Sequence, residues 1–278
     1  MSLKNMITVT ISIIILPLFF SCSGGNMPEE KVTFPSIKDV SASSWEKLAQ
    51  KKIYFGHQSV GFNIIDGIKD VMKEYPEIKL NIAETYDPEK FQAGTLAHSR
   101  IGYNTDPNSK LEAFAFYMKA GGASKADLAS FKYCYVDITR ETNVKKLFLD
   151  YEKAFGFLND EYPETTFINI TVPLKTIQSG LKAWIKKILG KSLGGVEENI
   201  KRNNYNEMLI KQYEGKEPIF DIAKIQSTYP DGTRAFFPKD GKTYYSMVPE
   251  YTNDGGHLNE VGRKKVAEQF LILLAKLN

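Results

Sequence analysis

The chain is poor in the residues that staple or metallate small proteins: of its 278 residues only two are cysteine and three are histidine. A disulfide framework is excluded, and neither His-x-x-x-His nor any other metal-ligand spacing occurs. Charge of one sign is scarce too. The 36 basic and 33 acidic side chains leave a net +3, too little to argue for nucleic acid or another polyanion. There is no internal repeat and no low-complexity tract. What remains is ordinary for a globular protein, 42% hydrophobic and 25% charged. A domain of this size buries roughly 75% of its unfolded surface and needs no staple.

The first residues stand apart. Lys4 is the one charge ahead of an apolar run at 7–20, the length of a signal-peptide core and too short to span a bilayer comfortably. Phe19-Phe20-Ser21-Cys22 then resembles a bacterial lipobox, with Phe19 where Leu is usual. That resemblance implies a signal peptide at 1–21, a lipidated Cys22, a tether at 22–43 and a folded domain at 44–278. It also implies an exported protein, lipid-anchored in the bacterial cell envelope. A plain secretory signal cut near Ser21 is the simpler alternative. With Cys22 lipidated, Cys134 has no intrachain partner, and its apolar neighbours Tyr133 and Tyr135 suit a buried free thiol.

Beyond the tether, strand and helix patterns alternate. Apolar runs predict strands at 52–56, 80–84, 133–137, 165–172 and 219–225. Val60, Ile64, Ile65, Ile68, Val71, Met72 and Tyr75 recur at helical spacing up to Pro76. Further helices are predicted at 110–120, 143–160, 196–213 and 259–277, and a hairpin turning at Asp240-Gly241 within 236–245. Residues 86–109 read as a long loop. This alternation predicts one α/β domain, a mostly parallel sheet covered on both faces.

Ligands of such sheets sit beyond the carboxyl ends of the strands, and two segments there carry chemistry. Gly56-His57-Gln58-Ser59-Val60-Gly61 follows the first strand. Ser59 is either a helix N-cap or a nucleophile near a positive helix end. Asp254-Gly255-Gly256-His257-Leu258-Asn259 precedes the last helix. The Gly pair lets Asp254 fold back on His257, as a general base requires; an Asx-turn beside a surface His is the plainer reading.

Together these segments resemble the SGNH/GDSL hydrolase superfamily, whose members place a nucleophilic Ser after the first strand and Asp-x-x-His before the last helix. The resemblance spans nearly the whole mature chain and implies a flavodoxin-like three-layer α/β/α fold. It implies Ser59 as nucleophile, His257 as base, Asp254 as its orienter, and neither cofactor nor metal. Gly56-His57-Gln58-Ser59 departs from the usual Gly-Asp-Ser. Ile101-Gly102-Tyr103-Asn104 occupies the place of the oxyanion Gly, so Gly102 and Asn104 join the Ser59 amide as candidate donors. The family's Asn after the third strand has no counterpart, although Asp137, Thr139 and Asn143 lie nearby.

His57 and His98 are candidate substrate contacts. Leu181, Trp184, Ile185, Ile188 and Leu189 form one helical face and Lys182, Lys186, Lys187 and Lys191 another, suited to an anionic membrane surface or to ordinary packing on the sheet. Aromatic residues around Tyr229, Phe236, Phe237, Tyr244, Tyr245 and Tyr251 form either an acyl or sugar platform or a small satellite core. The expected function is hydrolysis of a small-molecule or carbohydrate ester, O-acetyl groups among them, through an acyl-Ser59. A non-catalytic glycan- or ligand-binding module on the same fold is the alternative, and acyl transfer to an envelope glycan a third. No nucleic-acid partner is expected.

Overall fold

The computed structural model describes residues 31–189 and 193–277. The stretch expected to be a signal peptide, Cys22 and Lys191 lie outside the described residues. One compact unit begins at Lys31, and Ile37 and Trp45 are already buried in its core. Part of the 22–43 tether is therefore packed structure: Ser41 caps helix α1 (Ala42–Leu48) by accepting from Ser44 N.

Six parallel strands form the central sheet in the order β2-β3-β1-β4-β5-β6: β1 (Lys52–His57), β2 (Asn81–Glu84), β3 (Thr95–Arg100), β4 (Leu128–Phe131), β5 (Thr166–Ile170) and β6 (Ile219–Phe220). Period-two alternation divides β1 between two cores. Ile53 and Phe55 pack with α2 (Val60–Glu74) and α9 (Glu260–Lys276), while Tyr54 faces α3 (Pro107–Tyr117), α5 (Val144–Glu161) and α7 (Val196–Tyr213). The result is the expected three-layer α/β/α arrangement. Gly67 lets α2 lie tight on α9, since a Cβ there would stand 2.4 Å from the Arg263 carbonyl oxygen. From β1 the chain passes to the edge strand β2, returns inward to β3, then crosses to β4 on the other side of β1 and proceeds outward through β5 to β6. The carboxyl end of β1 is thus the switch point where such sheets form ligand sites.

Three sequence expectations are corrected. The segment read as a loop at 86–109 contains β3, whose polar Thr95-Leu96-Ala97-His98-Ser99-Arg100 lacks a strand's usual branched run yet is buried between β2 and β1. The strand expected at 133–137 lies earlier, at β4. Pairing stops at Phe131, and the Asp137 carboxylate accepts from Cys134 N at 2.6 Å, turning Tyr135–Asp137 into a 3-10 turn. The strand expected at 219–225 ends after two residues, because Asp221 caps the helix α8 (Ile222–Ser227) through Lys224 N. Between α3 and β4 lies the single turn α4 (Ala123–Lys125). Helix α6 (Gly180–Ile188) and the hairpin of β7 (Phe236–Lys239) and β8 (Lys242–Tyr245) complete the order.

Candidate active site

Ser59 sits where β1 turns into α2, with φ 49° and ψ −110°. A non-glycine residue held at positive φ is strained, and such strain collects at functional sites, including the strand-to-helix turns that expose a nucleophile. Although Ser59 is at the N-cap position, its side chain makes no capping hydrogen bond. Its Oγ instead lies 2.6 Å from His257 Nε2. On the other side of the ring, Nδ1 lies 2.6 Å from Asp254 Oδ2. Asp254 Oδ1 accepts from the backbone of Gly256 and His257, both at 2.8 Å. Burial works against the ionised Asp254, yet the His257 ring and those two amides hold its carboxyl far below the usual carboxylate range. The loop is tied to α2 by Leu258 N, which donates to Asn63 Oδ1 at 3.1 Å. Asn259 Oδ1 then caps α9.

Tyr135 stands beside His257. Its ring meets the imidazole of His257 edge-on, with centroids 5.6 Å apart. Its hydroxyl stands 3.4 Å from Nδ1 and 3.5 Å from Nε2 of His257. Burial, then the Asp254 charge, raise the Tyr135 pKa, so the phenol stays a neutral donor. Nothing in the sequence singled it out; its aromatic surroundings read as strand. Tyr135 is held from behind by α7. The buried Arg202 donates from Nε to the Tyr135 carbonyl at 2.9 Å and from Nη2 to the Ile138 carbonyl at 3.2 Å. Asn199 and Asn206 on the same helix each clasp a strand-end residue through both backbone groups, Lys175 and Val172 respectively. The signal that could have found them is Asn199, Arg202 and Asn206 recurring on the apolar face of α7.

Gly102 adopts φ +51°, and a Cβ there would stand 2.5 Å from Lys110 N; its carbonyl accepts from Gln58 Nε2 at 2.9 Å. Asn104 is exposed, and its Oδ1 accepts from Lys110 Nζ at 2.9 Å. Asp137 is no donor. It is a buried carboxylate that takes Lys110 Nζ at 2.5 Å, Cys134 N at 2.6 Å and Thr105 N at 2.9 Å. Asn143 caps α5 and Thr139 pairs with Thr142.

No protein-family model matches the sequence, and none of the curated proteins does. Among solved structures, three neighbours are a protein from Desulfitobacterium hafniense DCB-2 assigned to the G-D-S-L lipolytic family, one from Slackia heliotrinireducens assigned as an SGNH hydrolase, and the family 3 carbohydrate esterase of Clostridium thermocellum. The first is 8% identical, covering 80% of this chain and 99% of that one, with a TM-score of 0.46. The second is 10% identical over 81% and 96%, with a TM-score of 0.41. The third is 13% identical over 82% and 99%, with a TM-score of 0.43. This chain is similar to SGNH/GDSL hydrolases. At these identities and TM-scores the likeness assigns no activity.

His57 and His98, the expected substrate contacts, are only 0% and 3% exposed. They form a buried pair, His57 Nε2 to His98 Nδ1 at 3.0 Å, and belong to the support behind Ser59. Burial, reinforced by the charges of Lys132, His98 and Arg100, drives the His57 pKa down to about 2. Burial likewise lowers His98. Cys134 is a buried free thiol, as expected, and Lys132 Nζ lies 3.3 Å from its sulfur. Among the described residues no group of three or more His, Cys, Asp and Glu side chains is arranged to hold a metal. The aromatic residues divide. Tyr251 is core, its hydroxyl donating to the Thr228 carbonyl at 2.8 Å, whereas Tyr229, Phe236 and Phe237 line a cavity of about 620 Å³ with Trp184.

Proposed function

We propose that this chain is a serine esterase of the bacterial cell envelope, held there by lipid on Cys22, that removes acyl groups such as acetyl from carbohydrate. The observation that carries this reading is the continuous line Ser59–His257–Asp254 on a strained Ser59. A serine hydroxyl is a poor nucleophile alone and needs a neutral imidazole to take its proton. His257 Nε2 takes the Ser59 proton as Oγ bonds to the acyl carbon. It returns that proton to the leaving alcohol oxygen when the ester C–O bond breaks. A water then repeats the sequence on the acyl-Ser59, releasing the acid and restoring the hydroxyl. Asp254, ionised by its amide contacts, fixes the tautomer of His257 and stabilises the imidazolium.

Each tetrahedral intermediate carries an oxyanion. Its donors in this reading are the Ser59 amide at the start of α2, the backbone at Gly102 and the Tyr135 hydroxyl, in place of a side-chain amide. The open setting supports a bulky substrate, since His257 and Asp254 side chains are 46% and 56% exposed. Fluorophosphonate labelling tests the reading: the probe is expected to modify the wild-type protein at Ser59 and to spare Ser59→Ala and His257→Ala. An unlabelled, folded wild type overturns it in favour of a non-catalytic module. For the anchor, labelled palmitate is expected to be incorporated by the wild type and not by Cys22→Ser.

A further inference from the structure

Five of the twelve exposed large hydrophobic side chains among the described residues fall within nine positions, on α6 and the residue after it. Leu181 is 72% exposed, Trp184 60%, Ile188 63% and Leu189 61%. The apolar face therefore does not pack on the sheet, the more ordinary of the two sequence readings. A cluster of this kind marks an interaction surface. Two observations say what covers it. From 165 to 196 the sequence holds five lysines, at 175, 182, 186, 187 and 191, and no acidic residue, although the chain as a whole is nearly balanced. An apolar helical face set in local positive charge complements a bilayer with anionic headgroups.

The second observation is where the domain begins. Val32 N donates to the Gly232 carbonyl at 2.9 Å. Gly232 belongs to the turn between Tyr229 and Arg234, and those two residues share with Trp184 the lining of the 620 Å³ cavity. Val32 thus meets the turn whose flanking residues line that cavity. Cys22 precedes Lys31 by nine residues, a reach of about 30 Å at full extension. The segment leading into α6 also touches the candidate active site, Thr176 N donating to the Gly255 carbonyl at 3.0 Å.

We propose that the exposed face of α6 docks on an anionic phospholipid surface, holding the Ser59–His257 edge of the domain at the membrane. The two tryptophans make this measurable, because Trp45 is buried in the core and Trp184 is exposed on the face. The full chain carrying Trp45→Phe is bound to phosphatidylcholine vesicles with and without about one third phosphatidylglycerol, containing brominated lipid. Trp184 emission is expected to move to shorter wavelength and be quenched on the anionic vesicles. The docked-to-undocked ratio should rise roughly tenfold or more over phosphatidylcholine alone, as expected for two or more surface lysines. The gain should vanish at roughly 0.5 M NaCl, where such attractions are screened. Trp184→Phe in the otherwise native chain is expected to remove the lipid-sensitive signal, which covers a misfolded Trp45→Phe. Ile188→Ser should weaken quenching while leaving hydrolysis of a soluble aryl acetate unchanged. Equal Trp184 emission and quenching on both vesicle types, with the protein bound to each, overturns the proposal. So does a Trp184 already shielded without lipid in a sedimenting dimer, which assigns the face to a second copy. Failure of the esterase reading, seen as absent fluorophosphonate labelling, leaves this readout untouched.

Discussion

Ser59 Oγ stands 2.6 Å from Nε2 of His257 across 198 residues of sequence. The two are joined by the packing of α2 against α9 and by Asn63, which reaches from one helix to the amide beyond the histidine. Residues coupled in this way act as a unit. Ser59→Ala and His257→Ala are each expected to lower kcat on a short-chain aryl acetate by about 10⁴–10⁶-fold, and the double variant to lose little more. Asp254→Asn should cost somewhat less, because the base survives in a poorer orientation. Circular dichroism on all variants checks folding. Wild-type rates from folded Ser59→Ala would reduce Ser59 to a strained turn residue.

Much of this arrangement was legible beforehand because it is local. The Gly pair in Asp254-Gly255-Gly256-His257 writes the carboxylate–imidazole contact into four residues, and helix periodicity marks α2, α5, α7 and α9 within a residue or two. Long-range burial was not legible. β3 is a strand because β1 and β2 flank it, and its own residues give no such pattern. His57 and His98 looked like site residues because only Gln58 separates His57 from Ser59; strand alternation and the pair they form put them beneath it. Tyr135 was missed for the opposite reason, since its role depends on a 3-10 turn that Asp137 imposes from the side.

Tyr135→Phe isolates that hydroxyl. If it donates to the developing oxyanion, kcat should fall by roughly 10²-fold or more with KM nearly unchanged, in line with loss of one oxyanion donor. The raised pKa of Tyr135 keeps its proton in place through the neutral and mildly alkaline range. No alkaline loss of activity from this group is therefore expected until above the usual tyrosine value. An unchanged kcat in Tyr135→Phe would confine the residue to packing against His257.

The buried His57 makes stability depend on acid. Its folded pKa is about 2 against 6.5 unfolded, so below pH 6.5 the unfolded chain binds a proton that the native state refuses. Stability from this group is complete above about pH 6.5 and is lost as pH falls toward 2. By pH 4.5 the loss amounts to about 2–3 kcal/mol. Urea midpoints between pH 7 and pH 4.5 should fall accordingly. His57→Gln, which has no proton to bind, should be less stable at pH 7 and show a flatter dependence. An equal slope in both proteins would mean that His57 is protonated in the fold.

The last expectation concerns Lys110 and Asp137, both fully buried and in contact at 2.5 Å. Charges removed from water are tolerable only as a pair, and breaking such a pair costs about 3–5 kcal/mol because one charge is left uncompensated. Lys110→Met strands the Asp137 carboxylate on two backbone amides, Cys134 N and Thr105 N. Asp137→Asn strands the ammonium against Asn104. Both single variants should lose stability in that range. Lys110→Met/Asp137→Leu should lose less than the sum of the singles, because no lone charge remains. The same pair pins the loop of Gly102 and Asn104 to the turn of Tyr135, the two places that supply oxyanion donors in the proposed esterase reading. Lys110→Met is therefore expected to lower kcat on the aryl acetate at a temperature where it is still fully folded. Urea unfolding of the cycle, with kcat measured on each folded member, separates the two effects. Additive stability losses would show that the two charges do not depend on one another, and an unchanged kcat would show that the pin is structural alone.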